Sequence, residues 1–268
     1  MSDFDTIRLK DDGRGVVTLT LSRPARHNAL DSQMIRELRE AAARIGADLA
    51  VRAVVIAGEG KSFCAGADLA WMKQQMEASR DERSIEARGL AECLFALNIL
   101  PQPVVARVQG SAFGGGLGLL AVSDVAVGVH TARFGFTETR LGVVPATIAP
   151  YVMARIGEGR ARRVFMSGRI FDADEARDLA ILSRVVEPGE LDRAVEDEIA
   201  PYLSAAPEAV AAAKALARSY GPRIDADVIS RSVSDLADAW EREDAKEGIA
   251  AFFEHRCPRW ANAAKKGA

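Results

Sequence analysis

The chain has 268 residues, 49% of them hydrophobic and 27% charged, with a formal net charge of −3. That suits one large globular domain, or a core with an appendage, able to bury a sizeable interior. The faintly acidic balance argues against a nucleic-acid partner held by phosphate contacts, and no apolar run reaches the roughly 18 residues that a membrane span needs.

Cys64, Cys93 and Cys257 are far apart and form no CxxC pair. Neither a disulfide framework nor a metal site is expected, and a reducing, cytoplasmic setting fits. The opening MSDFDTIRLK carries acids and lacks the apolar core of a signal peptide. Residues 15–22, GVVTLTLS, are rich in β-branched side chains and predict a strand, and SRPARHNAL follows as a loop. Asp31 reads as the N-cap of a helix over 32–46, with Met34, Leu38, Ala42 and Ile45 on one face. RAVVIAGEG is a short apolar strand, after which KSFCAGADLAWM runs from small residues into a helix-like stretch. The segment 73–88 is charged and Met-rich and reads as a helix, either solvated or poised over a pocket. PVVARVQG is another buried strand and leads into GSAFGGGLGLLAVSD; DVAVGVH is a third. Short buried strands alternating with helices indicate an α/β architecture.

The pattern changes near residue 190. ELDRAVEDEIAPYLSA, PEAVAAAKALARSY and a long segment from Asp225 to Arg256 all read as helices. The expected organisation is an α/β core over 1–200 and a helical region over 201–268. Ile229, Val233, Leu236, Trp240, Ile249, Phe252 and Phe253 give that region apolar faces that suggest an oligomer interface.

Three stretches carry candidate chemistry. In GSAFGGGLG, Gly110, Gly114, Gly115, Gly116 and Gly118 match neither a dinucleotide fingerprint nor a P-loop. A helix start presents unpaired N–H groups and a positive dipole end, so an oxyanion would be stabilised there; tight packing alone is the other explanation. In KSFCAGADL, the small residues Ala65, Gly66 and Ala67 again follow a strand and precede a helix, and could supply a second backbone donor. In ARFGFTETRLGVVPA, Glu138 lies among apolar and small residues, where burial would raise its pKa toward neutrality.

Together, SFCAGADL, GGGLGLLAVSD and FGFTETRLGVVP, with LSRPARHNAL before them and FFEHRCPRW after, resemble the crotonase, or enoyl-CoA hydratase/isomerase, superfamily over nearly the whole chain. The resemblance implies a spiral of ββα turns with a helical C-terminal trimerisation region, assembled as a homotrimer or a dimer of trimers. It implies an acyl-CoA thioester as substrate, coenzyme A being part of that substrate, with no separate cofactor. The thioester carbonyl would sit between the N–H groups of Ala67 and Gly115, with Glu138 as the catalytic carboxylate. The substrate would touch Gly114, Gly118 and Trp71, and the adenine would lie near Ala65 and Asp68. Arg26 would meet the CoA phosphates, and Phe253 and Arg256 match the place where a neighbouring subunit closes on the CoA.

The chain departs from the family pattern at one position. Hydratases of the family usually carry a glutamate two residues after the triple glycine, where this chain has Gly118. Isomerases, which move a double bond with one carboxylate, tend to lack it. The aromatic dehalogenase branch is excluded, because it places an aspartate where this chain has Ala146. GADLAWM and the tract from Phe134 to Arg163 look like bacterial methylglutaconyl-CoA and isohexenylglutaconyl-CoA hydratases. A hydratase acting on such a substrate is therefore expected, with an isomerase or a silent acyl-CoA binder as alternatives. A replacement acid is available among Glu77, Asp81, Glu82 and Glu86, and restoring a glutamate at Gly118 should raise activity on short straight-chain enoyl-CoA if the missing carboxylate is what limits it. His27, His130 and His255 read as structural or exposed, and Cys64 as packing. Trp71 and Met72 line an acyl pocket or pack the core. Arg140 meets a second substrate carboxylate or makes a structural salt bridge.

Overall fold

A strand–strand–helix unit recurs along the chain, its first strand joining one sheet and its second strand another. The computed structural model describes residues 4–261. The chain enters through β1 (Ile7–Asp11), β2 (Val16–Leu21) and α1 (Ser32–Ala47). The first unit is β3 (Ala53–Gly58), β4 (Ser62–Cys64), α2 (Leu69–Glu77) and α3 (Arg80–Asn98). The second is β5 (Val104–Val108), β6 (Ser111–Phe113) and α4 (Gly115–Val122). The third is β7 (Val125–Val129), β8 (Arg133–Gly135), a 3-10 turn over Glu138–Leu141, α5 (Ala149–Ile156) and α6 (Glu158–Phe165). There follow β9 (Ile170–Asp172), α7 (Ala173–Asp178), β10 (Arg184–Val186) and α8 (Leu191–Ser204). The last helices are α9 (Pro207–Tyr220), α10 (Ala226–Glu241) and α11 (Glu243–Phe253).

The larger sheet runs β1-β2-β3-β5-β7-β10 and is parallel except for β1. All six residues of β3 are buried, which is why AVVIAG is a continuous apolar run and not an alternating one. The smaller sheet, β4-β6-β8-β9, is what organises the chemistry. Cys64 pairs with Ala112 and Phe113 with Gly135, all in parallel, so the segments leaving β4, β6 and β8 emerge side by side. The three stretches singled out in the sequence are those segments.

Asp31 caps α1 by accepting from the Met34 N–H at 2.9 Å, as its position before the apolar face requires. The charged segment 73–88 is not one helix. α2 ends before Ser79, which opens α3 with a capping box closed by Glu82. The segment from Asp225 likewise divides: Arg242 is extended (φ −71°, ψ 145°) and separates α10 from α11. α10 packs along α3, and α11 lies on the 3-10 turn. The second contact requires two glycines. A Cβ on Gly142 (φ 74°) would run into the Asp244 carbonyl, and one on Gly248 would lie 2.5 Å from the backbone of Leu141.

Candidate active site

The walls of one cavity of about 450 Å³ bring together the segments after β4, β6 and β8, with α2, α3, α10 and α11 closing its sides. The segment around Ala67 is fixed first. Asn28, fully buried, donates to the carbonyls of Glu59, Ser62 and Phe63 and accepts from the Arg23 N–H. Leu30 then strings the segment out: its N–H donates to Gly66 and its carbonyl accepts from Asp68. The N–H of Ala67, between those two bonds, has no acceptor among the described residues.

The triple glycine proves to be both a packing device and a helix start. Gly114 takes a φ of 47° that side chains disfavour, and turns the chain into α4. Cβ atoms on Gly115 and Gly116 would lie 2.8 Å from the Leu30 side chain and 2.6 Å from the Cys64 carbonyl. The segments touch where Gly66, at φ 90°, faces the Phe113 carbonyl and Gly114. Gly115 opens α4, so its N–H has no intrahelical partner, and no other described group accepts it. Two unpaired backbone donors, on rigid segments in contact with each other, thus stand at the cavity wall.

Glu138 completes the arrangement. Its Oε1 lies 3.1 Å from where a Cβ on Gly114 would be, so any side chain there would displace the carboxyl group. Its Oε2 is buried with no hydrogen-bond partner. Burial pushes the carboxyl pKa up from the ordinary 4.5 to about 7. A carboxyl group that changes charge near neutrality, beside two free N–H donors, can move a proton next to a carbonyl whose developing charge the donors hold.

The remaining sequence candidates divide. Ala65, Trp71 and Gly114 line the cavity, as does Met72. Asp68 does not: it caps α2 through the Ala70 N–H at 2.8 Å and pairs with Arg23 at 3.0 Å, a structural use of the carboxylate. Gly118 also lies away from the lining, under Ile148 and Leu94, because the next turn of α4 points into the core. Phe253 packs against the Val143–Trp240–Ile249 cluster, and Phe252 takes the place on the wall. Arg256 is bound to Glu247 at 2.7 Å and Glu254 at 2.5 Å within its own chain. Arg26 is exposed on a 3-10 turn at Pro24–Arg26, outside the cavity lining. Cys64 is buried, its thiol pushed up to about 12 by desolvation, as packing requires.

Two wall residues, Arg140 and Glu86, and Arg83, which is not among the lining residues, carry weight that the sequence did not assign or assigned otherwise. Arg140 lines the cavity, and no described group pairs with it, so it is not a structural ion pair. Arg83 donates to the Gln75 and Met76 carbonyls at the end of α2, pairs with Glu241 at 2.5 Å and stacks on Trp240, clasping α2, α3 and α10 around the cavity. Of the four acids available in the charged segment, Glu86 alone reaches the wall.

Residues 11–263 match the family model described as enoyl-CoA hydratase/isomerase. The chain belongs to the enoyl-CoA hydratase/isomerase family. It is an enzyme of that family, with the α/β spiral that the ββα units build. Among curated relatives, the short-chain-enoyl-CoA hydratase of Clostridium acetobutylicum is 32% identical over 261 residues, 95% of this chain and 97% of that protein. The crotonyl-CoA hydratase of Syntrophomonas wolfei is 34% identical over 94% of this chain and 96% of its own length. An enoyl-CoA hydratase from Shewanella pealeana superposes with a TM-score of 0.79 at 34% identity, covering 96% of this chain and 97% of that one. Among the described residues no helix is long and apolar enough to cross a membrane, and no group of three His, Cys, Asp or Glu is placed to hold a metal ion.

Proposed function

We propose that this enzyme adds water to an α,β-unsaturated CoA thioester, with a branched, methylglutaconyl-type acyl group as the favoured substrate. The observation that carries this reading is Glu138, a carboxyl group titrating near pH 7 beside the free N–H groups of Ala67 and Gly115. The thioester oxygen is held by both N–H groups as it gains negative charge, each donor contributing about 3–4 kcal/mol in such sites. Ionised Glu138 takes a proton from water as the C3–O bond forms and the C2=C3 π pair moves onto the thioester. The same carboxyl group then returns the proton to C2, so one water is added and Glu138 is regenerated.

Arg140 supports the anionic acyl group. It stands on the same 3-10 turn as Glu138, two residues on, at the cavity wall and without an ion-pair partner among the described residues. Ala65 beside the cavity and exposed Arg26 are the proposed contacts for the CoA end. We propose a homotrimer or a pair of trimers, which would cover α9, a helix with no buried residue and with Leu216 and Tyr220 exposed.

A second reading, double-bond isomerisation, is favoured by one observation: α4 places no carboxylate at Gly118, and Glu138 alone suffices to carry a proton between C2 and C4. Turnover in H₂¹⁸O separates the readings. Purified enzyme is given crotonyl-, 3-hexenoyl- and 3-methylglutaconyl-CoA and the products are weighed. Gain of one labelled water, greatest with the methylglutaconyl ester, is expected. A shifted double bond at unchanged mass replaces the hydratase by the isomerase, and binding of every ester without turnover sinks both.

A further inference from the structure

On the cavity wall, Glu86 is an unusual group: a carboxyl group in a lining whose residues from α1, α2 and α3 are otherwise apolar, Ile35, Leu69, Trp71, Met72, Ala87 and Leu90. Its Oε2 is doubly held. The Ser32 hydroxyl donates to it at 2.5 Å and the Trp71 indole N–H at 3.0 Å. Ser32 opens α1, Trp71 is in the first turn of α2 and Glu86 is in the second turn of α3, so three helices fix the carboxylate's orientation. Its Oε1 has no partner among the described residues, and it is not sealed into the interior as the Glu138 Oε2 is. A rigid acceptor on the cavity wall, with one oxygen committed and the other unpartnered and not sealed off, is arranged to receive a hydrogen bond.

We propose that Glu86 is a specificity-determining residue that, between CoA esters of otherwise like acyl chain, favours the one with a hydroxyl group along the α2–α3 wall. This rests on the reading of the cavity as an acyl-CoA site. It concerns a different wall from that of Arg140, which shares the 3-10 turn with Glu138. On this wall an unsubstituted chain leaves the open oxygen facing hydrocarbon, and a carboxylate directed here and not at Arg140 meets like charge. A hydroxyl satisfies it, and a hydrogen bond to an ionised acceptor is the stronger kind.

Binding of saturated esters tests this without turnover. Butyryl-, pentanoyl- and hexanoyl-CoA are each titrated against the ω-hydroxy counterpart by calorimetry, with the wild-type enzyme and with Glu86→Ala and Glu86→Gln. In the wild type, the hydroxy ester of at least one length is expected to bind about tenfold tighter than its parent. Glu86→Ala should bring that ratio to about one. The isosteric Glu86→Gln keeps the fold and must turn its carbonyl to Ser32 and Trp71, which presents an amide N–H₂ to the ligand; the ratio should fall there too. Parent and hydroxy esters binding alike at all three lengths overturns the inference and leaves the hydratase reading intact. If Glu86 only holds Trp71 in place, both esters weaken together in Glu86→Ala and an unchanged ratio overturns it. Failure of every CoA ester to bind overturns both readings.

Discussion

Replacing Glu138 by glutamine should make the protein more stable at high pH, although it removes the proposed proton carrier. The folded chain holds the Glu138 proton with a pKa of about 7, against 4.5 for an ordinary glutamate. Between those values the folded state binds more protons than the unfolded one, so wild-type stability falls as pH rises through 7. Glu138→Gln is neutral throughout and lacks this loss. Working the linkage from pH 5 to pH 8.5, the stability of Glu138→Gln relative to wild type should rise by roughly 2.5 kcal/mol. Urea unfolding of both proteins at one protein concentration, across that pH range, reads the difference directly. Parallel stability curves for wild type and variant would refute the claim that Glu138 is protonated by burial, and with it the argument for a base poised at neutrality.

Two further variants probe the frame around the site. Gly118→Glu places a Cβ 2.7 Å from the Ile148 Cγ2 and 3.3 Å from the Leu94 Cδ1, so it should lose about 1–3 kcal/mol by overpacking and fail to speed crotonyl-CoA hydration. Its melting temperature and initial rate are the checks, and a faster, equally stable protein would contradict the packing argument. Gly142→Ala combines strain at φ 74° with a collision against the Asp244 carbonyl, and should lift α11 from the 3-10 turn at a cost on the order of 2–5 kcal/mol. Limited proteolysis should then cut within residues 243–253; an unchanged digestion pattern argues that the contact is not required.

The three chemical segments were legible because each is a run of small or apolar residues with an abrupt change of character, and such runs mark close backbone approach. The strands that align them were not. SFC, SAF and RFG are three residues each, too short for any periodicity, and their pairing is a long-range property. The break at Ser79 was written in the sequence as a serine three residues before Glu82, but it lay inside a helix-forming stretch and was overridden by it. The surroundings of Gly118 were hidden for a different reason: motif position fixes where a residue lies along a helix, while neighbours fix what it faces. Here Ile148 and Leu94 fill the space into which a glutamate would project. Asn28 donates to carbonyls more than 30 residues away, and Glu86 accepts from Ser32, more than 50 residues away, besides Trp71; no local pattern announces either role.

The docking of α11 on the turn that carries Glu138 also sets an order in time. During synthesis the loops bearing Ala67, Gly115 and Glu138 leave the ribosome before residues 243–253, so the cavity is assembled open on one side. Its α11 wall follows more than a hundred residues after Glu138. A nascent chain can therefore complete its larger sheet, which ends at β10, before the helix that packs on the Glu138 turn has been made. On this account the turn that carries Glu138 is fixed in place not when it is translated, but when α11 docks on Leu141 and Gly142.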